Sequence, residues 1–347
     1  MPSPPLLSYY STFPAGVYQL MRRIVEADYP HATITHVFEN AVLYRAGASD
    51  PLLGAPYFQS TFRVLEHTRC DPDEEVESAA RRFETGLASH PIARLLEHDR
   101  HFRVMFSRDG RPVPAPRAVR DRMERTIQRA SGRPTRNRDA DAEIWVSLRR
   151  EGFALLLFRR LRNRARSADR PKGMLAPELG ALLCRYSDPS PEDVFLDPFC
   201  GHGGIFLERM RWKYRLAFAI DRDDRLVSAL KERLARRSGT WRKRTYVRSG
   251  NGASLEGFDS GFITAIVTDP PWGEYDGSLG SVETLYSAFL TSAARVLASR
   301  GRLILLAGRD VAVPEILAPL SSSLEMEASH DMLVSGKKAT LYKLHRV

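Results

Sequence analysis

The sequence predicts an α/β protein in two parts, with an α+β N-terminal half and a C-terminal half built on a parallel sheet flanked by helices. Three observations predict it. In the C-terminal half the apolar runs DVFLD, LAFAID, TYVRSG, FITAIVTD and RLILLAG alternate with helical stretches, the pattern of strands joined by crossover helices. The last stretch, LEMEASHDMLVSGKKATLYKLHRV, carries two strand-like runs about SGKK, which predicts a closing antiparallel pair. The first 165 residues mix helices and strands without that regular alternation.

Taken in order, LLSYYSTF reads as a strand, and GVYQLMRRIVEADY as a helix with Val17, Leu20, Met21 and Ile24 at helical spacing. AVLYRAG reads as a second strand closed by glycine, and residues 1–60 form a first small α+β module. In residues 61–165, EEVESAARRFETGLASH has helical spacing and HFRVMFSR alternates like a strand. PRAVRDRMERTIQRAS predicts a helix with Val119, Met123 and Ile127 on one face and arginines on the other. AEIWVSLRREGFALLLFRRL predicts a hairpin turned at Glu151-Gly152. RNRARSADRPKG is polar, basic and aperiodic, and reads as a linker into the third part, residues 166–347.

The bulk numbers bound the function. With 347 residues, 43% hydrophobic and 27% charged, the chain has the composition of a folded globular protein. A net charge of +10 favours a polyanionic partner, nucleic acid ahead of a membrane surface. The cysteines Cys70, Cys184 and Cys200 are odd in number and far apart, so no disulfide framework and no zinc site is expected. No apolar run reaches the length of a membrane span, and the N-terminus lacks the pattern of a signal peptide, so a cytoplasmic protein is expected.

In an open α/β sheet, ligands bind at the carboxyl ends of the strands. Four predicted ends here carry polar chemistry. Asp197 closes the first, in LDPFCGHGGIFLE, where Gly201 and Gly203 permit a tight turn before a helix and let a ligand approach the backbone. The segment lacks the lysine of a phosphate-binding P-loop. Asp221 closes the second, LAFAID, where an acid can accept both hydroxyls of a ribose. Asp223 and Asp224 read instead as a helix cap and a first-turn acid. Asn251 follows the third end and offers a donor and an acceptor to an adenine edge, or caps its own turn. The fourth end is TDPPWGEYDG. Asp269 and the Pro270 carbonyl can each accept from a planar exocyclic amine, the prolines stiffen the loop, and Trp272 offers a flat face for a base.

On these residues the C-terminal half resembles the class I S-adenosylmethionine-dependent methyltransferases, with a Rossmann-like fold. LDPFCGHGGIFLE is similar to their first motif, and DPPW to the (D/N)PP(Y/F/W) motif of enzymes that methylate amino nitrogens. The pairing of DPFCGxG with TDPPWG is most similar to the THUMP-domain tRNA guanosine N2-methyltransferases. The resemblance implies a ferredoxin-like module at 1–60, a THUMP RNA-binding domain at 61–165 and the catalytic domain at 166–347. It implies a monomer that transfers methyl groups to guanosine N2 in tRNA, at a position of the acceptor-stem 6 or core 10 type, without a metal. It further implies that S-adenosylmethionine is held by Asp197, Phe199, Gly201, Gly203, Asp221, Arg222, Asn251 and Asp269, with Asp269, Pro270 and Trp272 as the catalytic group.

Three positions depart from the family pattern: Gly201-His202-Gly203-Gly204 in place of G-S-G-T, Asn251 in place of aspartate, and Glu274-Tyr275 after the fourth motif. His202 is expected to point to solvent. The target base must leave its stack to reach Trp272. Arg117, Arg120, Arg125, Arg129, Arg159, Arg160 and Arg162 are expected to contact the RNA backbone. The stretch ARRSGTWRKRTYVR, 235–248, is a further basic segment on the catalytic domain. Two other readings remain open at this level: an amino-group methyltransferase acting on rRNA or DNA, and a non-catalytic RNA-binding protein that retains the fold.

Overall fold

The computed structural model describes residues 6–87, 90–161, 170–171, 173–237, 243–273 and 282–347. The chain divides into two compact units, Met1–Phe13 with Tyr18–Asp169, and Pro14–Val17 with Arg170–Val347.

The first unit is one eight-stranded sheet in the order β2-β3-β1-β4-β8-β7-β5-β6. Its strands are β1 (Leu7–Thr12), β2 (Thr33–Phe38), β3 (Ala41–Ala46), β4 (Ser60–Arg69), β5 (Phe102–Arg108), β6 (Arg111–Pro112), β7 (Ala142–Arg149) and β8 (Phe153–Arg160). Residues from both expected N-terminal modules enter it, because β4 pairs with β1 on one edge and with β8 on the other. Helices α1 (Tyr18–Asp28), α2 (Val76–Leu87), α3 (Ile92–Leu95) and α4 (Arg117–Ser131) complete the unit. Val119, Met123 and Ile127 of α4 are buried with Phe83 of α2 against Val104 and Ile144 of the sheet. Each such side chain contributes roughly 1.5–3 kcal/mol on burial. Helix α4 stops at Gly132, whose left-handed φ of 67° lets its N–H reach the Gln128 carbonyl. The hairpin β7–β8 turns at Glu151-Gly152 as expected.

Strands β2 and β4 escape the sequence reading for a common reason. Each is interrupted by a register shift, between Ile34 and His36 in β2 and between Val64 and Glu66 in β4. A bulge breaks the period-two alternation by which a half-buried strand is recognised.

The second unit is a seven-stranded sheet in the order β11-β10-β9-β12-β13-β15-β14. The strands are β9 (Val194–Asp197), β10 (Leu216–Asp221), β11 (Thr245–Ser249), β12 (Ile263–Thr268), β13 (Leu297–Gly308), β14 (Leu324–Val334) and β15 (Lys337–Arg346). The first five run parallel, and β15 and β14 close the edge antiparallel about the expected SGKK turn. Helices α5 (Pro177–Tyr186), α6 (Gly204–Arg209), α7 (Asp224–Ala235), α8 (Val282–Val296) and α9 (Val313–Leu317) connect them. The chain moves outward from β9 to β11 and returns to β12 on the other side of β9. That reversal makes the carboxyl ends of β9 and β12 a topological switch point, where doubly wound sheets bind ligands. No helix among the described residues is long and apolar enough to cross a membrane.

Candidate active site

The loop after β9 is built from Asp197 to Gly203. Gly201 and Gly203 take positive φ, 49° and 81°, conformations that favour glycine. Gly203 is also a packing position, since a Cβ there would stand 2.5 Å from Leu230 Cδ1 on α7. The Cys200 N–H donates to the Ile220 carbonyl at 2.9 Å, and the Gly201 N–H donates to Oδ2 of Asp221 at 2.7 Å. Oδ1 of Asp221 accepts from the Asp223 N–H at 3.0 Å. Asp221 therefore ties the glycine loop to the end of β10 while remaining half-buried. Asp223 caps α7 by accepting from the Arg225 N–H, and Asp224 is its first-turn acid, both as expected.

The third strand end packs on the first. A Cβ on Gly252 would lie 2.2 Å from the Pro198 carbonyl oxygen, so the two loops meet backbone to backbone. Asn251 is exposed, and its Oδ1 accepts from the Ala253 N–H at 2.9 Å. The turn-capping reading of this residue is thus met by its oxygen, and its side chain is exposed beside the strand end.

Asp197 is buried, and the Thr268 hydroxyl donates to its Oδ1 at 3.0 Å. Burial pushes its carboxyl up to about 8, with the charges of Asp221 and Asp269 pushing in the same direction against the Thr268 bond. Asp269, half-buried, is pushed up to about 7 by loss of water, opposed by the bond from Trp272. That bond runs from the indole Nε1–H to Oδ1 at 2.9 Å. The Tyr286 hydroxyl lies 3.5 Å from the Pro270 carbonyl oxygen. Burial, with the charge of Asp269 next, raises the Tyr286 phenol, and it raises the Cys200 thiol, with Asp197 next. The three carboxylates Asp197, Asp221 and Asp269 thus converge at adjacent strand ends, and the strongest charges acting on Asp197 are the other two. Such a cluster, beside loops stripped of Cβ atoms, fits a ligand that carries a positive charge and hydroxyl groups.

Of the other expected ligand residues, Phe199 packs edge-on against Phe289 at 5.3 Å and Arg222 is exposed. His202 is half-buried, and its carbonyl accepts from Arg233 at 3.0 Å. Glu274 and Tyr275 lie outside the described residues. Thr268, Gly252, Tyr286 and Gly308 are brought into the site by the fold and were not foreseen. Only Thr268 had a signal in the sequence, its place immediately before Asp269.

In the first unit, Arg117, Arg125 and Arg129 are exposed on α4, Arg117 with 94% of its side chain open beside Asp121. Arg120 is half-buried, its guanidinium 5.8 Å from the Phe106 ring centre. Arg159 and Arg160 are committed within the unit. Arg159 donates to the buried Glu143 at 2.6 Å, and Arg160 to Asp99 at 3.0 Å. Arg103 and Trp145 complete the ring of donors on Glu143. Arg162 lies outside the described residues.

A family model described as UPF0020, RMKL-like methyltransferase domain, matches residues 164–337, half of the chain. The chain belongs to the RMKL-like methyltransferase family. Its methyltransferase domain is thereby placed on the sheet whose strand ends carry the four motifs. Among curated proteins, the chain is 35% identical over 149 residues to a tRNA (guanine(10)-N2)-dimethyltransferase of Methanothermobacter thermautotrophicus, a match covering 42% of this chain and 43% of that one. It is 29% identical over 231 residues to a tRNA (guanine(6)-N2)-methyltransferase of Thermus thermophilus, covering 65% and 67% of the two chains. The match thus spans less than half the length of the archaeal relative. Among solved structures, TrmN of Thermus thermophilus superposes with a TM-score of 0.75 at 22% identity, over 98% of this chain and 100% of that one. SMU.472, solved as a complex with SAH, gives a TM-score of 0.67 at 12% identity over 97% of both chains. Both likenesses establish the fold.

Proposed function

We propose that this methyltransferase modifies the exocyclic N2 of a guanosine in tRNA, with S-adenosylmethionine as the methyl donor. The observation that carries the reading is the rigid Asp269-Pro270 pair at the end of β12, a carboxylate and a carbonyl beside the strand ends that carry Asp197 and Asp221. Similarity to two tRNA guanine-N2 methyltransferases names the amine.

S-adenosylmethionine, when bound, supplies a methyl group made electrophilic by its sulfonium sulfur. Asp221 would take the ribose hydroxyls, Asn251 the adenine edge, and the Gly201–Gly203 turn with Phe199 and Arg222 the remainder. Asp197 would answer its positive charge. Asp269 and the Pro270 carbonyl hold the two hydrogens of the guanine amine, which turns its nitrogen lone pair out of the ring plane. As the N–C bond forms and the donor's S–C bond breaks, leaving a neutral thioether, the nitrogen sheds one proton, and a carboxylate that titrates near 7 is matched to receive it at Asp269, directly or through water. Trp272 supplies a surface for the flipped base.

We assign residues 1–60 to a ferredoxin-like module and 61–165 to a THUMP-type RNA-binding module, with Arg117, Arg125 and Arg129 facing the phosphates and Arg120, Arg159 and Arg160 serving chiefly to hold the module together. Mass spectrometry of nucleosides from tRNA incubated with the protein and S-adenosylmethionine tests the function. N2-methylated guanosine is the expected product, and tRNA without any methylated guanosine would overturn the reading.

A further inference from the structure

The loop that ends β12 holds its own carboxylate. The Trp272 indole donates its only N–H to Oδ1 of Asp269 at 2.9 Å. A second, distant feature seats the indole. Gly308 closes β13, and a Cβ there would stand 3.1 Å from both Cβ and Cγ of Trp272 and 3.3 Å from its Cδ2. Gly308 does not take a positive φ, so its backbone does not demand glycine. What it contributes is the missing side chain, which opens a slot for the ring. An aromatic residue that served only as a stacking face would need no donor, and phenylalanine or tyrosine would do. Tryptophan supplies a planar ring and a donor that is fixed by the ring's own seat.

We propose that Trp272 is the positioning residue for Asp269: its indole N–H, seated against Gly308, commits one carboxylate oxygen to the protein and leaves the other for the substrate amine. The assignment rests on Asp269 being the amine acceptor. A carboxylate on a single Cβ–Cγ bond turns over a broad range. Anchoring one oxygen removes that rotation before the base arrives, which favours a reaction that depends on the alignment of acceptor and amine. The same bond favours the charged form of Asp269, the form able to accept.

Two measurements test this on the full chain. In the ligand-free protein, the indole N–H resonance of Trp272, assigned among the four tryptophans by its loss in Trp272→Phe, should titrate with a midpoint near the Asp269 value of about 7. It should stop titrating in Asp269→Asn. In methyl transfer to tRNA, Trp272→Phe keeps a flat ring and loses the donor. Its kcat should fall about tenfold, the value of one charge-assisted bond, with KM for tRNA nearly unchanged. The acidic limb of its kcat profile should move up by about one pH unit, since the bond that holds the carboxyl down is gone. A wild-type indole resonance that stays flat from about pH 5 to about pH 9 overturns the proposal. So does a Trp272→Phe enzyme with wild-type kcat and pH profile. If the wild type methylates no tRNA guanosine while the indole still titrates with Asp269, the bond is supported and the assigned substrate is what fails.

Discussion

Gly201 donates its backbone N–H to the carboxylate of Asp221 at 2.7 Å, so the acid that ends β10 holds the glycine turn that follows β9. Asp221 thereby shapes the loop, and under the proposed function it also takes the ribose hydroxyls of the methyl donor. Asp221→Ala should weaken S-adenosylmethionine binding by about 10- to 100-fold, the range of one charge-assisted hydrogen bond or slightly more. Isothermal calorimetry on wild type and variant measures it. Equal affinities would leave Asp221 with the loop alone and no part in binding.

Under the proposed function, Asp197 should make S-adenosylmethionine binding pH-dependent. Its carboxyl is pushed up to about 8, so it is largely protonated at neutral pH in the free protein. A bound sulfonium favours the charged carboxylate, so binding should release a proton and tighten as pH rises through about 8. Calorimetry in buffers of different ionisation enthalpy reads the released proton directly. The free protein should lose stability as pH rises from about 4 to about 8, because an acid whose folded value is raised stabilises the fold fully below its unfolded value and loses that contribution progressively until pH passes the folded one. An affinity independent of pH between about 6.5 and 8.5 would contradict this.

Gly308→Ala tests the indole seat without touching the site's polar groups. Its Cβ would press on Trp272 at 3.1 Å, tighter than ordinary packing. The variant should bind S-adenosylmethionine like wild type and lose kcat severalfold, about the effect of displacing a positioned group by a fraction of an ångström. Wild-type turnover would mean that the ring finds its place without Gly308.

The arginines should separate into two classes. Replacing Arg117, Arg125 and Arg129 together by alanine should leave the melting temperature nearly unchanged, since these side chains are exposed. It should weaken tRNA binding and lower the slope of log affinity against log salt by about 2 to 3, because each phosphate that an arginine no longer neutralises keeps its counterion. Arg159→Ala should instead cost on the order of 2 kcal/mol of stability, because it strips a donor from Glu143, which is fully buried. Denaturant titration and filter binding across a salt series distinguish the two.

Much of this protein was legible in its sequence because the signals are local. Helix α4 follows from apolar residues at 119, 123 and 127, each about one turn from the next. The five parallel strands follow from strand-like runs, four of them closed by polar residues, and Asp197, Asp221, Asn251 and Asp269 follow as the residues at or just past those ends. Strands β2 and β4 were hidden because a bulge shifts one residue and destroys the alternation by which strands are recognised. Arg159 looked like the exposed arginines of α4 because nothing in the strand around it reveals a carboxylate 16 residues away.

What the sequence determined alone is therefore which residue types end which elements. What the tertiary structure decided is which of those ends meet. Thr268 reaches Asp197 across 71 positions, and Trp272 rests on Gly308 across the width of two neighbouring strands. Periodicity and turn chemistry are set by interactions within a few residues. The order in which parallel strands pair is set by where the chain crosses over, and that order brings the ends of β9 and β12 side by side. The raised carboxyls of Asp197 and Asp269 arise in the same way, from burial and neighbouring charge that exist only once the sheet has closed.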